Sequence, residues 1–272
     1  GTIDVAATTG SITMVDGAVT STTGSGNIRY SAGTTITVGS LSTSGSVSFN
    51  GTAITDSGSA EVDVTGNSLR IDGSERAGEE LNHLETTVTT LSANVGAGGL
   101  FITETDSITV DRVAAIAVNR VKTDGTVTGS TVTDSAQSDL MSAGALILET
   151  TDGSITINEG DTDNTGISAT GNVLLSAKET GEATIADITL NASITSTGGN
   201  ISLLAADTIT QAEAGDITAG TSSRSIDLKA DSEIYMYDGA KTTINNVNIR
   251  YETVSGDITI CGLNAGSSSI SL

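Results

Sequence analysis

The segment Glu159–Gly166 carries side chains that could bind a cation. It reads Glu-Gly-Asp-Thr-Asp-Asn-Thr-Gly, which places Asp161, Asp163 and Asn164 close together between two glycines. Ca²⁺ takes about six to eight oxygen ligands, and a short acidic loop supplies several of them at once. The EF-hand pattern fails because no Glu stands at the twelfth position of the loop. The sequence therefore predicts a weak calcium site at these three residues, with an ordinary polar turn as the alternative.

Side chains for nucleophilic catalysis are scarce in this chain. His83 is the single histidine and Cys261 the single cysteine. Every Ser-His-Asp or Cys-His arrangement would have to use His83, which lies in a charged segment with no Ser or Cys nucleophile close to it in sequence. We interpret His83 as a surface histidine. Cys261 follows Ile260 in a strand-like run, and we interpret it as a small buried hydrophobic residue.

Carbohydrate cleavage is the other chemistry to weigh, because acidic side chains are abundant and pectin-degrading hydrolases use paired carboxyl groups. Hydrolysis needs two carboxyl groups about 5 to 9.5 Å apart, and 33 acidic residues would produce such a pair by chance. The Gly-His-Gly and Arg-Ile-Lys signatures of those hydrolases are absent. A lyase would need clustered cations; Arg112, Arg120 and Lys122 come nearest, and solvated charges at a strand edge explain them. We predict a protein that is not an enzyme and has no catalytic residues, and no cofactor other than calcium.

Composition and charge exclude several classes of partner. Thr, Ser and Gly supply 111 of the 272 residues, Pro and Trp are absent, and the formal net charge is −22. The eleven Lys and Arg are scattered singly, whereas binding to phosphate requires clustered cations. No apolar run approaches the roughly 18 residues that span a bilayer. We therefore predict no nucleic-acid partner and no membrane insertion, and one cysteine excludes an internal disulfide framework.

The elements that would position any site come from an internal repeat. A phrase recurs in which Gly and a small polar residue precede an aliphatic, a polar and a second, usually apolar, residue. Such a phrase predicts a turn followed by a strand with period two. Its copies are Gly10–Met14, Gly26–Tyr30, Gly45–Phe49, Gly153–Ile157, Gly171–Leu175, Gly199–Leu203, Gly215–Ala219 and Gly256–Ile260, with a truncated echo at Ser269–Leu272. Further short strands are predicted at Thr35–Val38, Ala183–Ala186 and Thr208–Thr210. A longer duplication relates Gly99–Val110 to Gly144–Ile157.

Evenly spaced short strands fit either an antiparallel sandwich or a parallel β-helix. Hairpin signals such as Asp-Gly are sparse, and near-identical phrases favour a solenoid in which each coil stacks on a similar coil. We predict an all-β, parallel β-helix over residues 1–272, a single β-helical stretch. About 13 coils at ~4.8 Å each would make a rod of about 60 Å.

One segment breaks the pattern. Residues 74–85 are charged, and Leu81, Leu84, Val88 and Leu91 follow the 3-4-3 spacing of an amphipathic helix. We predict a small helical loop near residues 75–85, with strand resuming from Thr86.

The Gly-[Asn/Asp/Ser]-Ile-Thr-Leu phrase resembles the repeats of filamentous haemagglutinin-like exoproteins and related giant bacterial surface adhesins. Val88–Val95 followed by Leu100–Val110 is similar to a unit of very long exported proteins. The resemblance implies a right-handed parallel β-helix, secretion to the cell surface, and work as a stalk or adhesive rod. That family's N-terminal secretion domain is missing from these residues.

Three functions remain open from the sequence. In the first, the chain is a structural and adhesive extracellular rod, a fragment of a bacterial surface adhesin that meets neighbouring repeats, or cell-surface glycans or proteins. In the second, it is a complete subunit that polymerises end to end into a filament or sheath through its terminal strands. In the third, it is a β-helix that binds or cleaves carbohydrate, which predicts an aromatic platform or an acidic cleft.

Overall fold

The protein is a β-solenoid of about eleven turns, as seen in a computed structural model. The structure describes residues 1–58, 61–181, 185–220 and 224–272. Within these residues it is all-β, with parallel pairing between coils, so the predicted fold class is confirmed. None of the described segments forms a helix, and hence none forms a helix able to cross a membrane.

The strands are short and follow one another around the coils. In chain order they are β1 (Ile3–Ala7), β2 (Ile12–Thr13), β3 (Val19–Ser21), β4 (Ile28–Ala32), β5 (Thr35–Val38), β6 (Ser40–Ser42), β7 (Ser46–Asp56), β8 (Val64–Ala77), β9 (Leu84–Val95), β10 (Gly99–Glu104), β11 (Ile108–Val110), β12 (Ile116–Asn119), β13 (Thr131–Asp134), β14 (Leu140–Ser142), β15 (Leu146–Thr150) and β16 (Ile155–Ile157). The remaining strands are β17 (Thr165–Ala169), β18 (Val173–Ala177), β19 (Ile188–Leu190), β20 (Ser193–Ser196), β21 (Ile201–Ala205), β22 (Ile209–Gln211), β23 (Ile217–Ala219), β24 (Ile226–Ala230), β25 (Ile234–Met236), β26 (Lys241–Ile244), β27 (Ile249–Thr253), β28 (Ile258–Thr259), β29 (Gly262–Asn264) and β30 (Ile270–Ser271).

Each coil has three sides, and each side stacks on the same side of the next coil. Face 1 runs from β1 and β4 through parts of β7, β8 and β9 to β14, β17, β20, β23, β26 and β29. Face 2 runs from β2 and β5 to β10, β15, β18, β21, β24, β27 and β30. Face 3 begins with β3 and β6 and continues through β11, β16, β19, β22, β25 and β28. At about 4.8 Å per coil, eleven turns make a rod of about 50 Å.

The core is a set of aliphatic ladders. On face 3, Ile155, Ile188, Ile209 and Ile234 occupy equivalent inward positions in successive coils, and all four are fully buried. Inward and outward residues alternate because the side-chain period of a strand is two. Burying one such side chain contributes about 1.5–3 kcal/mol, so the stability of the rod comes from many equal increments along its axis.

The predicted repeat phrases all contain strands, and the two duplicated segments stack directly on each other. Leu100 pairs with Leu146 and Ile108 with Ile155, so the duplication marks neighbouring coils. The predicted strand Thr35–Val38 is β5, and Thr208–Thr210 overlaps β22. Of the strand predicted at 183–186, residues 183 and 184 lie outside the described residues, and Ile185 and Ala186 are in no strand.

Two expectations are wrong. The helix predicted near 75–85 is absent: β8 continues to Ala77, residues 78–83 form a turn, and β9 starts at Leu84. Leu81, which the helix would bury, is 97% exposed. The rod also has fewer coils than the expected 13, because residues 112–138 leave it to form a separate antiparallel hairpin of β12 and β13.

Candidate functional site

The predicted calcium ligands lie in the loop that joins β16 to β17. Asp161 Oδ1 accepts a hydrogen bond from the Asp163 backbone N–H at 3.0 Å, and Asp163 Oδ1 accepts one from Thr165 N–H at 2.7 Å. The bond from the Asp163 N–H, together with one from the Ser138 hydroxyl, lowers the pKa of Asp161 and holds its carboxylate in place. Asn164 has a φ of +63° and donates from Nδ2 to the Ala214 carbonyl at 3.2 Å, so its amide group is engaged with a different part of the rod.

A third carboxylate, from Asp139, completes a cluster with the first two. One carboxylate oxygen from each of Asp139, Asp161 and Asp163 lies within 4.8 Å of the other two. Asp139 precedes β14, where the chain returns from the hairpin, and it is only 4% exposed. Burial, together with the charges of Asp161 and Asp163, raises the pKa of Asp139 to about 6, although a hydrogen bond from the Ser138 hydroxyl acts in the opposite direction. The structure therefore brings two predicted residues together with one that the sequence did not mark.

A second carboxylate cluster joins Asp56, Asp63 and Glu85, which come from three segments around β7, β8 and β9. One carboxylate oxygen from each lies within 4.8 Å of the others. Asp63 is 1% exposed, and its Oδ2 accepts a hydrogen bond from the Glu85 N–H at 2.9 Å. Burial, assisted by a hydrogen bond to Asp56, raises the pKa of Asp63 well above its usual range. Protonation of Asp63 therefore reduces the repulsion between the carboxylates of this cluster at neutral pH.

The hairpin lies against the outer surface of face 1 and is held there by buried ion pairs. Arg29 Nε donates to both oxygens of Asp134 at 2.9 Å, and Ser48 Oγ donates to Asp134 Oδ2 at 2.7 Å. Arg29 also pairs with Asp4 at 3.1 Å, and Arg120 pairs with the same carboxylate. Arg120 therefore does not belong to a cluster of cations of the kind that a lyase needs. It completes a structural ion-pair network with Asp4, a residue of the first coil.

The single histidine and the single cysteine are placed differently from expectation. His83 is half-buried, its ring centroid lies 5.8 Å from that of Phe101, and its Nδ1 shares a hydrogen bond of 2.9 Å with Thr103 Oγ1. Burial lowers the pKa of His83. Cys261 is exposed and free, so the expectation of a buried hydrophobic residue is wrong. The two residues belong to coils that are several turns apart, since His83 precedes β9 and Cys261 precedes β29, and they form no common site.

Aromatic side chains do not form a flat platform in the described residues. Tyr235 and Tyr237 meet edge to face, with ring planes at 75° and centroids 4.8 Å apart. A shallow groove of about 470 Å³ runs along face 2 and is lined by His83, Phe101, Ile147, Leu174 and Glu149, among others. It offers a mixed apolar and acidic surface, to which Glu80 also contributes.

Sequence reasoning missed Asp139 and Asp134 because both belong to the inserted hairpin and its return. The available signal was weak: residues 112–138 carry no complete copy of the repeat phrase, because Gly125-Thr-Val-Thr is followed by Gly129 and not by an apolar residue. The chain matches no family model, no curated protein and no solved structure.

Proposed function

We propose that this chain is a non-enzymatic structural rod, a β-helical section of an exported surface protein that works as a stalk or adhesive spacer. The observation that supports the proposal is the uninterrupted parallel ladder along the rod. Each coil donates its backbone hydrogen bonds to the next, and fully buried aliphatic side chains fill the interior along the rod. In such a rod, each added coil increases the distance between the two ends by about 4.8 Å.

The acidic, Thr- and Ser-rich exterior fits an exported location. With 33 acidic and 11 basic residues, the outer surface of the rod repels other strongly acidic surfaces, including the sides of a second copy. Backbone ladders and packing supply the stability without disulfide bonds, which suits a rod that must persist outside a cell. Adhesion to glycans or proteins would then use outward side chains of the three faces.

Coils of the same kind are the partners that the two ends of the rod favour. Core positions Ile3, Val5 and Ile12 in the first coil, and Ile258 and Leu263 towards the last coils, are only partly buried. Another coil, from the same polypeptide or from a second copy, would cover these apolar side chains and pair the open strand edges.

The proposal is tested on the cells that produce the protein. Antibodies against the purified chain should label intact cells, and external protease should remove the label. Labelling that requires permeabilised cells would overturn the exported location. Electron microscopy of the purified chain separates the two structural versions: single rods of about 50 Å support a spacer, and long filaments support end-to-end assembly. Release of reducing ends from a panel of polysaccharides would contradict a non-enzymatic role.

A further inference from the structure

The hairpin returns to the rod at a place where negative charge is concentrated. Asp139 stands immediately before β14, and Asp161 and Asp163 lie in the loop of residues 158–164 that follows β16. The two segments are in close contact: a Cβ added to Gly160 would meet Ser138 Cβ at 2.7 Å and Arg112 N at 2.9 Å. The three carboxylates therefore converge across the junction between the hairpin root and the next loop of the rod.

Asp139 supplies an observation that is independent of the clustering. Its Oδ2 accepts a hydrogen bond from Ser138 Oγ at 2.9 Å, whereas its Oδ1 is buried without a hydrogen-bond partner. A buried carboxylate oxygen that has given up water without gaining a donor is costly. No ion pair joins Asp139, Asp161 or Asp163 to a basic side chain in the described residues. Three converging carboxylates are therefore left without a neighbouring positive charge in the described residues.

We propose that Asp139, Asp161 and Asp163 bind a hard divalent cation of the Ca²⁺ class, which ties the root of the hairpin to the loop of residues 158–164. Asp139 contributes the buried oxygen, and Asp161 and Asp163 contribute oxygens on the solvent side. Water completes the coordination, as Ca²⁺ sites of mixed protein and solvent ligands allow. An all-oxygen donor set excludes a preference for soft metals.

The loop is organised before the cation arrives. Ser138 Oγ also lies 3.1 Å from Asp161 Oδ2 and shares its one proton between Asp139 and Asp161, so the hairpin root already contacts the loop through this hydroxyl. The hydrogen bonds from the N–H groups of Asp163 and Thr165 orient the two exposed carboxylates. Two exposed ligands out of three indicate modest affinity, with a dissociation constant of about 10⁻⁴ to 10⁻³ M, as in extracellular calcium modules.

The test measures thermal unfolding and calorimetric binding of the full chain after removal of metal by a chelator. Calcium at about 10 mM, above the expected dissociation constant, should raise the melting temperature more than the same ionic strength of KCl does. The KCl arm is needed because any divalent salt screens a chain of net charge −22. A parallel arm with Mg²⁺ measures selectivity.

Two variants locate the site. Asp139→Asn keeps the size of the side chain and suits the φ of +63° at this position, and Asp161→Asn removes the negative charge of an exposed ligand. Each should weaken calcium binding at least about tenfold. Without calcium, Asp139→Asn should melt at or above the wild-type temperature, because a repelling charge has gone; with calcium, the order should reverse.

Two controls keep the result specific to this cluster. Asp124→Asn changes an exposed aspartate at the hairpin tip that caps its own turn, and Asp63→Asn alters the second carboxylate cluster. Both should keep the calcium-dependent rise. The proposal is overturned if calcium has no effect beyond KCl, or if Asp139→Asn and Asp161→Asn retain the full rise. Loss of the rise in Asp63→Asn alone would move the cation to the second cluster and equally overturn the assignment.

Discussion

Glu104 is the residue whose environment most clearly conflicts with its charge. It points into the core, is fully buried, and accepts hydrogen bonds from Thr86 Oγ1 at 2.6 Å and from the N–H groups of Val88 and Thr105 at 3.0 and 3.1 Å. Burial raises the pKa of Glu104 to about 7 from an ordinary value of 4.5, against the effect of those bonds. The aligned Glu of the duplicated segment, Glu149, faces outward and pairs with Lys178, because the stacking register is shifted by one residue.

The raised pKa of Glu104 predicts a loss of stability as pH increases. Below pH 4.5 the carboxyl is protonated in both states. Between pH 4.5 and about 7 the unfolded chain ionises first, so stability falls by up to about 3 kcal/mol and then levels off. Glu104→Gln should remove this component, so its unfolding free energy relative to wild type should rise from pH 5 to pH 7.5. Denaturant titrations at the two pH values check this; an equal difference at both would contradict it.

At the scale of elements, the hairpin depends on a ladder of polar residues that the sequence pattern did not reveal. Asp4, Arg29, Ser48 and Arg70 occupy one outward position in four successive coils of face 1. The hairpin covers them, and Val113, Ile116 and Val118 are each 1% exposed. Arg70 Nε donates to the Ser135 carbonyl, and Gln137 Nε2 donates to the Ile71 carbonyl, both at 2.9 Å. This part of the outer surface of face 1 is therefore buried beneath the hairpin.

Removing Asp134 tests this buried contact. Asp134→Ala leaves the Arg29 guanidinium buried without its main partner and should cost about 3–5 kcal/mol of unfolding free energy. The double variant Arg29→Met with Asp134→Leu should recover part of that loss, since two apolar groups replace the pair. Asp227→Ala is the matched control: its two hydrogen bonds to Arg250, at 2.7 and 3.2 Å, lie at the surface. Chemical denaturation of the wild type and the three variants measures the differences, and an equal effect at Asp134 and Asp227 would refute the buried role.

The elements also indicate what sequence can and cannot predict in this fold. Strands were predictable because Gly-Ser-Ile-Thr-Ile at 153–157 carries its own turn and alternation. The helix was mispredicted because β9 changes the parity of its buried residues: Leu84 and Val88 face inward before the corner, Leu91 after it. Two strand patterns in antiphase imitate helical spacing.

The stacking of residues in successive coils could not be predicted from the sequence either. Thr109, Thr156, Thr189 and Thr210 stand in one outward file of face 3, although 47, 33 and 21 residues separate them. Connecting segments of variable length hide such a file from any fixed period. For the candidate site, Asp161 and Asp163 were predictable from local spacing, whereas Asp139 joins them only through tertiary structure.

At the scale of the whole molecule, the rod has two parts with different connectivity. Beyond β14, each described coil pairs only with its neighbours, so stability there should be a sum of coil and interface contributions. Before β11, the hairpin joins several coils at once.

Deleting single coils tests this division. Removal of residues 193–215 puts Ile217 in the position of Ile194, with which it already pairs. The product should fold into a rod about 4.8 Å shorter with a small loss of melting temperature. Removal of residues 46–67 also deletes one coil, but it takes away Ser48 and displaces Arg70 beneath the hairpin. That product should lose far more stability. Calorimetry and small-angle scattering compare the two, and equal losses would show that the hairpin does not couple the coils.

The hairpin also determines the order in which parts of the rod can fold. A chain delivered N-terminus first can wind most coils as soon as a single further turn has emerged, since neighbours lie roughly 20 residues apart. Asp4 and Thr2 must wait for Arg120 and Asn119, which follow them by 116 and 117 residues. Until then, the charged groups beneath the hairpin face water and the leading coils stay loosely held. The entropic cost of closing this long loop is incurred once. When the hairpin docks, it fixes the coils beneath it in a single late step.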